Sequence, residues 1–166
     1  QLLKYGAILT PAGVTESGNI YDPERLGQEL AKLVNDLGLK GRKVISAVSG
    51  PQVYTRSIVM PRMSPEDMKE ALYYQAMSFL PIPVEDAAMD IFPLRHFEDE
   101  EGKKTEVFFV AVRRQQVENL DMACSVAGLK LAAVGIEPLA VFRVLYRNQN
   151  PDQVVAVLHI GATRSN

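Results

Sequence analysis

Apolar and polar residues change their spacing along this chain in a way that marks out its elements. "KYGAILT" near the start reads as a short strand, followed by a Gly/Ser-rich turn in "PAGVTESGN". Leu26, Leu30, Leu33, Val34 and Leu37 then recur every three or four residues, the spacing that gathers side chains on one helix face. Asp22 stands before this run as a capping acceptor, Pro23 takes the first helical position and Gly38 follows where a left-handed cap closes a helix. "RKVISAVSG" has no polar face to spare and predicts a strand buried on both sides. In "VYTRSIVMP" the period becomes two. Tyr54, Arg56, Ile58 and Met60 face one way, Val53, Thr55, Ser57 and Val59 the other, and Pro61 ends the strand.

A second helix starts at Ser64, with Pro65, Glu66 and Asp67 in its first turn. Met68, Leu72, Gln75 or Ala76, and Phe79 form its inner stripe, and Pro81 and Pro83 stop it; the "PIP" they make reads first as a helix stop and second as a docking ridge. "AAMDIFPLRHF" and "TEVFFVAVR" are strands joined by the charged loop "EDEEGKK". Residues 116–127 predict a third helix closed by Gly128. After it come a strand in "LKLAAVGIEP", a helix in "LAVFRVLYRN" and a final strand in "QVVAVLHIG". The expected class is α/β (α+β). Its middle runs strand, helix, strand, strand, helix, strand, the ferredoxin-like order, set between pieces of a more deeply buried layer.

Composition narrows the function classes. The 166 residues are 47% apolar and 23% charged, a globular balance, with a net charge of −2. No Lys/Arg cluster stands out, which speaks against nucleic-acid binding. No apolar run reaches the roughly 20 residues of a membrane span. A lone cysteine, Cys124, excludes an internal disulfide and lies in an amphipathic run that predicts a buried thiol. His96 and His159 lack a second ligand at helical spacing, so no zinc site is expected. The start at "QLLKYGAIL" and the stop just after a strand predict a fragment of a longer protein.

Two segments are candidates for binding. In "LHIGAT", Gly161 after a buried strand lets backbone N–H groups approach an anion, and Thr163 offers a hydroxyl. The face of Tyr54, Arg56, Ile58 and Met60 could take an extended peptide along a strand edge. The competing account of Ile58 and Met60 is that they belong to the core.

Three stretches together carry a resemblance. They are "R-x-I-x-x-P" at Arg56, Ile58 and Pro61; "FLPIPVED" from Phe79 to Asp86; and "AGL" at Ala127, followed by a strand, Glu137-Pro138 and a helix, with "VVAVLHIGAT" behind. In that order they resemble the PilM family of type IV pilus assembly, with FtsA and type II secretion L proteins the nearest confusions. The resemblance implies an actin-like, RNase H-fold lobe carrying an inserted ferredoxin-like (SHS2) β-α-β-β-α-β subdomain. Residues 1–52 would be part of subdomain 1A, 53–137 the inserted subdomain 1C, and 138–166 an inter-lobe helix with the first strand of the second lobe. It implies a cytoplasmic adaptor, peripheral to the membrane through partners. This adaptor captures the N-terminal tail of a PilN-like inner-membrane protein between 1A and 1C and links it to the assembly motor. Other pilus components and self-association are further implied contacts, and ATP with magnesium would bind between the lobes of the full-length protein. His159, Gly161, Ala162 and Thr163 fall on the second phosphate loop. His159 stands where the family carries an Asp that holds magnesium waters, and imidazole suits softer metals. A scaffold is therefore expected rather than an enzyme.

Overall fold

The computed structural model describes residues 2–146, 155–158 and 160. Its elements are β1 (Thr15–Glu16), β2 (Asn19–Ile20), α1 (Pro23–Asp36), β3 (Lys43–Val48), β4 (Tyr54–Pro61), α2 (Pro65–Ala76), a 3-10 turn (Val84–Asp86), β5 (Ala87–Asp99), β6 (Gly102–Arg113), α3 (Arg114–Val126), β7 (Lys130–Ile136) and α4 (Glu137–Leu145). The chain is of mixed α/β class.

Local chemistry sets the helix ends. Asp22 Oδ1 accepts the N–H of Arg25 at 2.9 Å, and Ser64 Oγ accepts that of Asp67 at 3.1 Å. Each satisfies one of the donors that a first helical turn leaves free. At the end of α1, Gly38 adopts φ +64° and Leu39 N–H returns to Val34 O at 2.8 Å. That return closes the helix, and the left-handed geometry favours glycine there.

The element order from β4 to β7 is the predicted one, but the strands do not share one sheet. β4, β6 and β5 form an antiparallel sheet in that order, whereas β7 pairs in parallel with β3. A ferredoxin-like sheet would have placed the strand of β7 beside β4. The unit built on the three-stranded sheet thus ends with β6. α3 and β7, which the expected division places within 53–137, pack on the part of the chain before Pro51. α3 lies directly on α1: a Cβ at Gly27 would stand 2.7 Å from Ala123 O and 2.5 Å from Val126 Cβ. Gln116 Nε2 and Asn119 Nδ2 on α3 donate to the carbonyls of Gly18 and Ile20, at 3.0 and 2.7 Å, pinning the β1–β2 hairpin.

Two cores result, one on each face of the three-stranded sheet. On one face α2 packs Met68, Leu72 and Ala76 against Ile58, Met60, Val107, Phe109 and Ala111. Ile82, between the two prolines, is 7% exposed and fills the end of this core, so the "PIP" segment is a plug and not a ridge. On the other face Val112 meets Val48 of β3 and Ile136 of β7, with Phe108, Val110, Val117 and Leu120 around them.

Two expectations change. Residues 2–10 form no strand; they run beside α1, where Lys4 Nζ donates to Leu37 O at 2.6 Å. A short apolar run does not make a strand without a partner strand to pair with. β3 is not buried on both sides either: Ile45 is 79% exposed, and Lys43 and Ala47, on the same face of the strand, are exposed with it. The final strand expected over 153–161 falls largely outside the described residues.

The α1–α3 contact generates a prediction. Gly27→Val should lower stability by about 2 kcal/mol or more, since a rigid branched side chain there meets backbone and must force the helices apart. Urea unfolding should show a lower midpoint at an unchanged slope. An unchanged midpoint would mean that the helices have room to spare.

Candidate functional site: an open sheet edge beside an aromatic cleft

β4 hydrogen-bonds only to β6, so its other edge carries no strand among the described residues. Beside the first half of this edge lies a cleft of ≈ 390 Å³, walled by Val53, Tyr54 and Arg56 on one side and Phe79, Leu80 and Pro81 on the other. Phe109 forms its floor and meets Phe79 edge to face, with centroids 5.3 Å apart and planes at 84°. The Arg56 guanidinium lies over the Phe79 ring, 4.8 Å from its centroid. A cation over an aromatic face is held by the ring quadrupole, and the donors around its rim remain available.

The local sequence explains this construction. The two-residue period of β4 sends Tyr54, Arg56, Ile58 and Met60 to the face that α2 covers. α2 ends at Ala76, and Phe79, Leu80 and Pro81 leave it as an irregular segment. Where the helix covers the sheet, Ile58 and Met60 are 6% and 5% exposed and belong to the core. They are not available to a peptide. Beyond the helix end, Tyr54 is half-buried and Arg56 exposed, and only these two of the four residues line the cleft. The predicted face thus narrows to its first half. The opposite wall was not expected: Phe79 had the spacing of an inner-stripe residue, and nothing local marks a helix-exit segment as a wall facing a strand 25 residues earlier. Its only sequence signal is the double proline, which forbids the helix from continuing over the cleft.

The two edges of the sheet differ in chemistry. On β5, Pro93 has no N–H to offer, the ladder is irregular between Pro93 and Arg95, and Asp90 Oδ1 takes the N–H of Ile91 at 2.9 Å. Proline, bulges and self-satisfied donors are the devices that keep an edge from pairing. β4 has none of these before Pro61. The cleft of ≈ 200 Å³ beside β5, walled by Tyr73, Met89 and Ile91, therefore adjoins a blocked edge.

Elsewhere the described residues offer little chemistry. No group of three His, Cys, Asp or Glu side chains among them could hold a metal ion. Cys124 is buried, and its thiol is pushed up by burial and, secondarily, by the charge of Asp121, which opposes thiolate formation. His96 Nδ1 is 2.9 Å from Thr105 Oγ1, a local bond on the sheet. His159, Gly161, Ala162 and Thr163, the expected phosphate-loop residues, lie outside the described residues. Among the described residues, no helix is long and apolar enough to cross a membrane.

On the sheet face away from α2, Glu106 accepts from Ser57 Oγ and from Arg95 Nε, each at 2.6 Å. Those two bonds, Ser57 first, hold its carboxyl below the ordinary 4.5. The folded state thus binds fewer protons than the unfolded chain near that pH. Its contribution to stability is full above about 4.5 and disappears as pH falls through the lowered value. Glu106→Gln should reduce the melting temperature at about pH 6, with the difference from the native chain narrowing as pH falls below the ordinary 4.5. A difference independent of pH would show that the carboxylate charge is not involved.

The family model for the type IV pilus assembly protein PilM matches residues 1–166. A solved structure, the PilM-PilN type IV pilus biogenesis complex, contains a chain 31% identical to this one, with a TM-score of 0.73. The match covers 82% of this chain and 40% of that chain. The cytoplasmic domain of EpsL, an inner-membrane component of the type II secretion system of Vibrio cholerae, matches at 14% identity and a TM-score of 0.46. That match covers 66% of this chain and 42% of the other. With the family model matching over its whole length, this chain belongs to the PilM family of type IV pilus assembly proteins.

Proposed function

We propose that this chain is the peptide-capturing part of a cytoplasmic scaffold for pilus assembly, holding the extended tail of a PilN-like membrane protein along the free edge of β4. The observation that carries the reading is the departure of β7 to β3. It leaves vacant, among the described residues, the position that a fourth strand would fill, on the edge of the three-stranded sheet that has no blocking device. A tail added there gains ladder hydrogen bonds for affinity and drops alternate side chains toward Phe79 and Phe109 for specificity. Arg56, 4.8 Å above Phe79, stands where it can donate to a carbonyl or carboxylate of the tail. The partnership named for the solved PilM-PilN complex supports the choice of tail. Through it, the scaffold would sit at the inner face of the membrane and connect to other components of the assembly machinery, the motor among them.

In this reading the protein does no chemistry of its own. His159 in place of an oxygen ligand for magnesium disfavours ATP hydrolysis. Whole protein given magnesium and ATP should therefore release phosphate no faster than buffer. Turnover that His159→Ala abolishes would establish the actin-like ATPase reading instead.

Titrating a labelled PilN-like N-terminal peptide and following anisotropy tests the capture. Saturable binding is expected, with Arg56→Ala and Phe79→Ala each weakening it about tenfold, or about 1.4 kcal/mol. Arg56→Ala should leave the melting temperature unchanged, since Arg56 is exposed. No binding at about millimolar peptide, where even a weak site of roughly 4 kcal/mol would register, would end the proposal.

A further inference from the structure

Three separate segments bring their cations to the end of the molecule where α1 and α3 stop and β3 and β7 begin. The loop after α1 and the first residue of β3 supply Lys40, Arg42 and Lys43, the start of β7 supplies Lys130, and residues 2–10 supply Lys4. Backbone hydrogen bonds hold loop and strand together: Gly41 N–H donates to Gly128 O at 2.7 Å and Lys130 N–H to Arg42 O at 2.9 Å. Lys4 Nζ joins them through Leu37 O at 2.6 Å, and the stem of Lys40 lies against Gly128. All five cations are exposed. No run of the sequence shows the cluster, because the parallel pairing of β3 with β7 assembles it.

The charges are uncompensated. Lys43 and Lys130 are direct partners in the ladder, so their side chains leave the same face side by side. Like charges placed in this way destabilise a sheet. None of the five makes an ion pair among the described residues. Asp36, in the last turn of α1, is the acid nearest to them in the chain; the last turn of α3 carries no charge, and Asp121 lies a turn further back. Five cations against Asp36 leave a net charge of +4. The carbonyl ends of the helices account for Lys4, which bonds Leu37 O, but not for a like-charge pair on the sheet.

Composition selects the anion. Four of the five cations are lysines, point charges on flexible stems, whereas a discrete carboxylate or phosphate site favours the planar fork of arginine. Neither of the two clefts reaches this end. Beside Lys4 stand Leu2, Leu3 and Tyr5, which are 79%, 83% and 85% exposed. Spread lysines with aliphatic and aromatic side chains among them suit the headgroups and outer acyl region of an anionic bilayer. An acidic protein or a nucleic acid would leave those apolar groups unused.

We infer that this end of the protein rests on an anionic membrane surface, with phospholipid phosphates facing Lys40, Arg42, Lys43 and Lys130 and with Leu3 and Tyr5 entering the headgroup layer around Lys4. The contact is separate from the tail site. β3 runs away from the patch and the cleft starts at Val53, beyond its far end, roughly 20 Å off for a strand rising about 3.3 Å per residue. Tail capture can therefore succeed or fail without bearing on it.

Co-sedimentation of the full-length protein with vesicles tests the contact. Vesicles of phosphatidylcholine containing about one-third phosphatidylglycerol should pellet the protein, and pure phosphatidylcholine should not. Pelleting should fade as salt rises past physiological strength. Lys43→Gln plus Lys130→Gln should weaken the partition about tenfold. The same pair should melt no lower than the native protein, because it removes a like-charge contact. Lys69→Gln plus Lys103→Gln, which changes two exposed lysines of the three-stranded sheet and its helix, should pellet as the native protein does. Equal pelleting with both vesicles, or an equal loss in the control pair, overturns the inference. So does pelleting with neither vesicle, whether or not soluble polyglutamate binds. Release from the vesicles by millimolar inorganic phosphate at constant ionic strength would assign the patch to free phosphate instead.

Discussion

The parallel pairing of β7 with β3 is the constraint on which the other features depend. β7 follows α3, and α3 lies so close on α1 that Gly27 has no room for a side chain. With α3 held there, and with its Gln116 and Asn119 amides holding the β1–β2 hairpin, the chain after Gly128 emerges beside β3 and far from β4. One helix contact therefore decides two things at once. It stitches the segment before Pro51 to the segment after Arg113, and it leaves the three-stranded sheet one strand short. The pairing also brings Val48 and Ile136 against Val112, which fixes the sheet to the rest through a shared core.

An unfilled strand position becomes a binding site only where the edge is chemically open and a side-chain cleft adjoins it. β4 meets both conditions over Tyr54 to Arg56 and not further on, because α2 covers Ile58 and Met60. The length of α2 therefore sets the length of the site. Pro81 and Pro83 have a double role. They end the helical segment and, through Ile82, anchor the exit chain into the core, which keeps Phe79 and Leu80 aimed at the strand. Affinity from backbone pairing and selectivity from the aromatic floor then arise from separate parts of the site.

Much of this was legible in the sequence. Asp22, Ser64, Gly38 and Gly128 act through their nearest neighbours, so the helix limits could be read locally; even so, α3 begins two residues before the predicted Gln116. The alternation of β4 correctly put Tyr54, Arg56, Ile58 and Met60 on one face. Pairing partners were not legible, because β7 could satisfy its backbone beside either β3 or β4 and its own residues do not distinguish them. Nor was it legible which half of the β4 face stays open, since that depends on where a helix elsewhere in the chain stops. The reading of β3 as doubly buried failed for a related reason: apolar composition reports what a strand can bury, not which neighbours are there to bury it.

Amide hydrogen exchange on the complex with the PilN-like tail peptide tests the central claim most directly. Addition of a strand to β4 predicts strong protection of the outward-facing amides within Tyr54 to Arg56, where bound peptide replaces water as hydrogen-bond partner. Those on β5 around Met89 to Ile91 should exchange as before. Protection confined to β5, or a bound peptide that leaves β4 unprotected, would contradict the account.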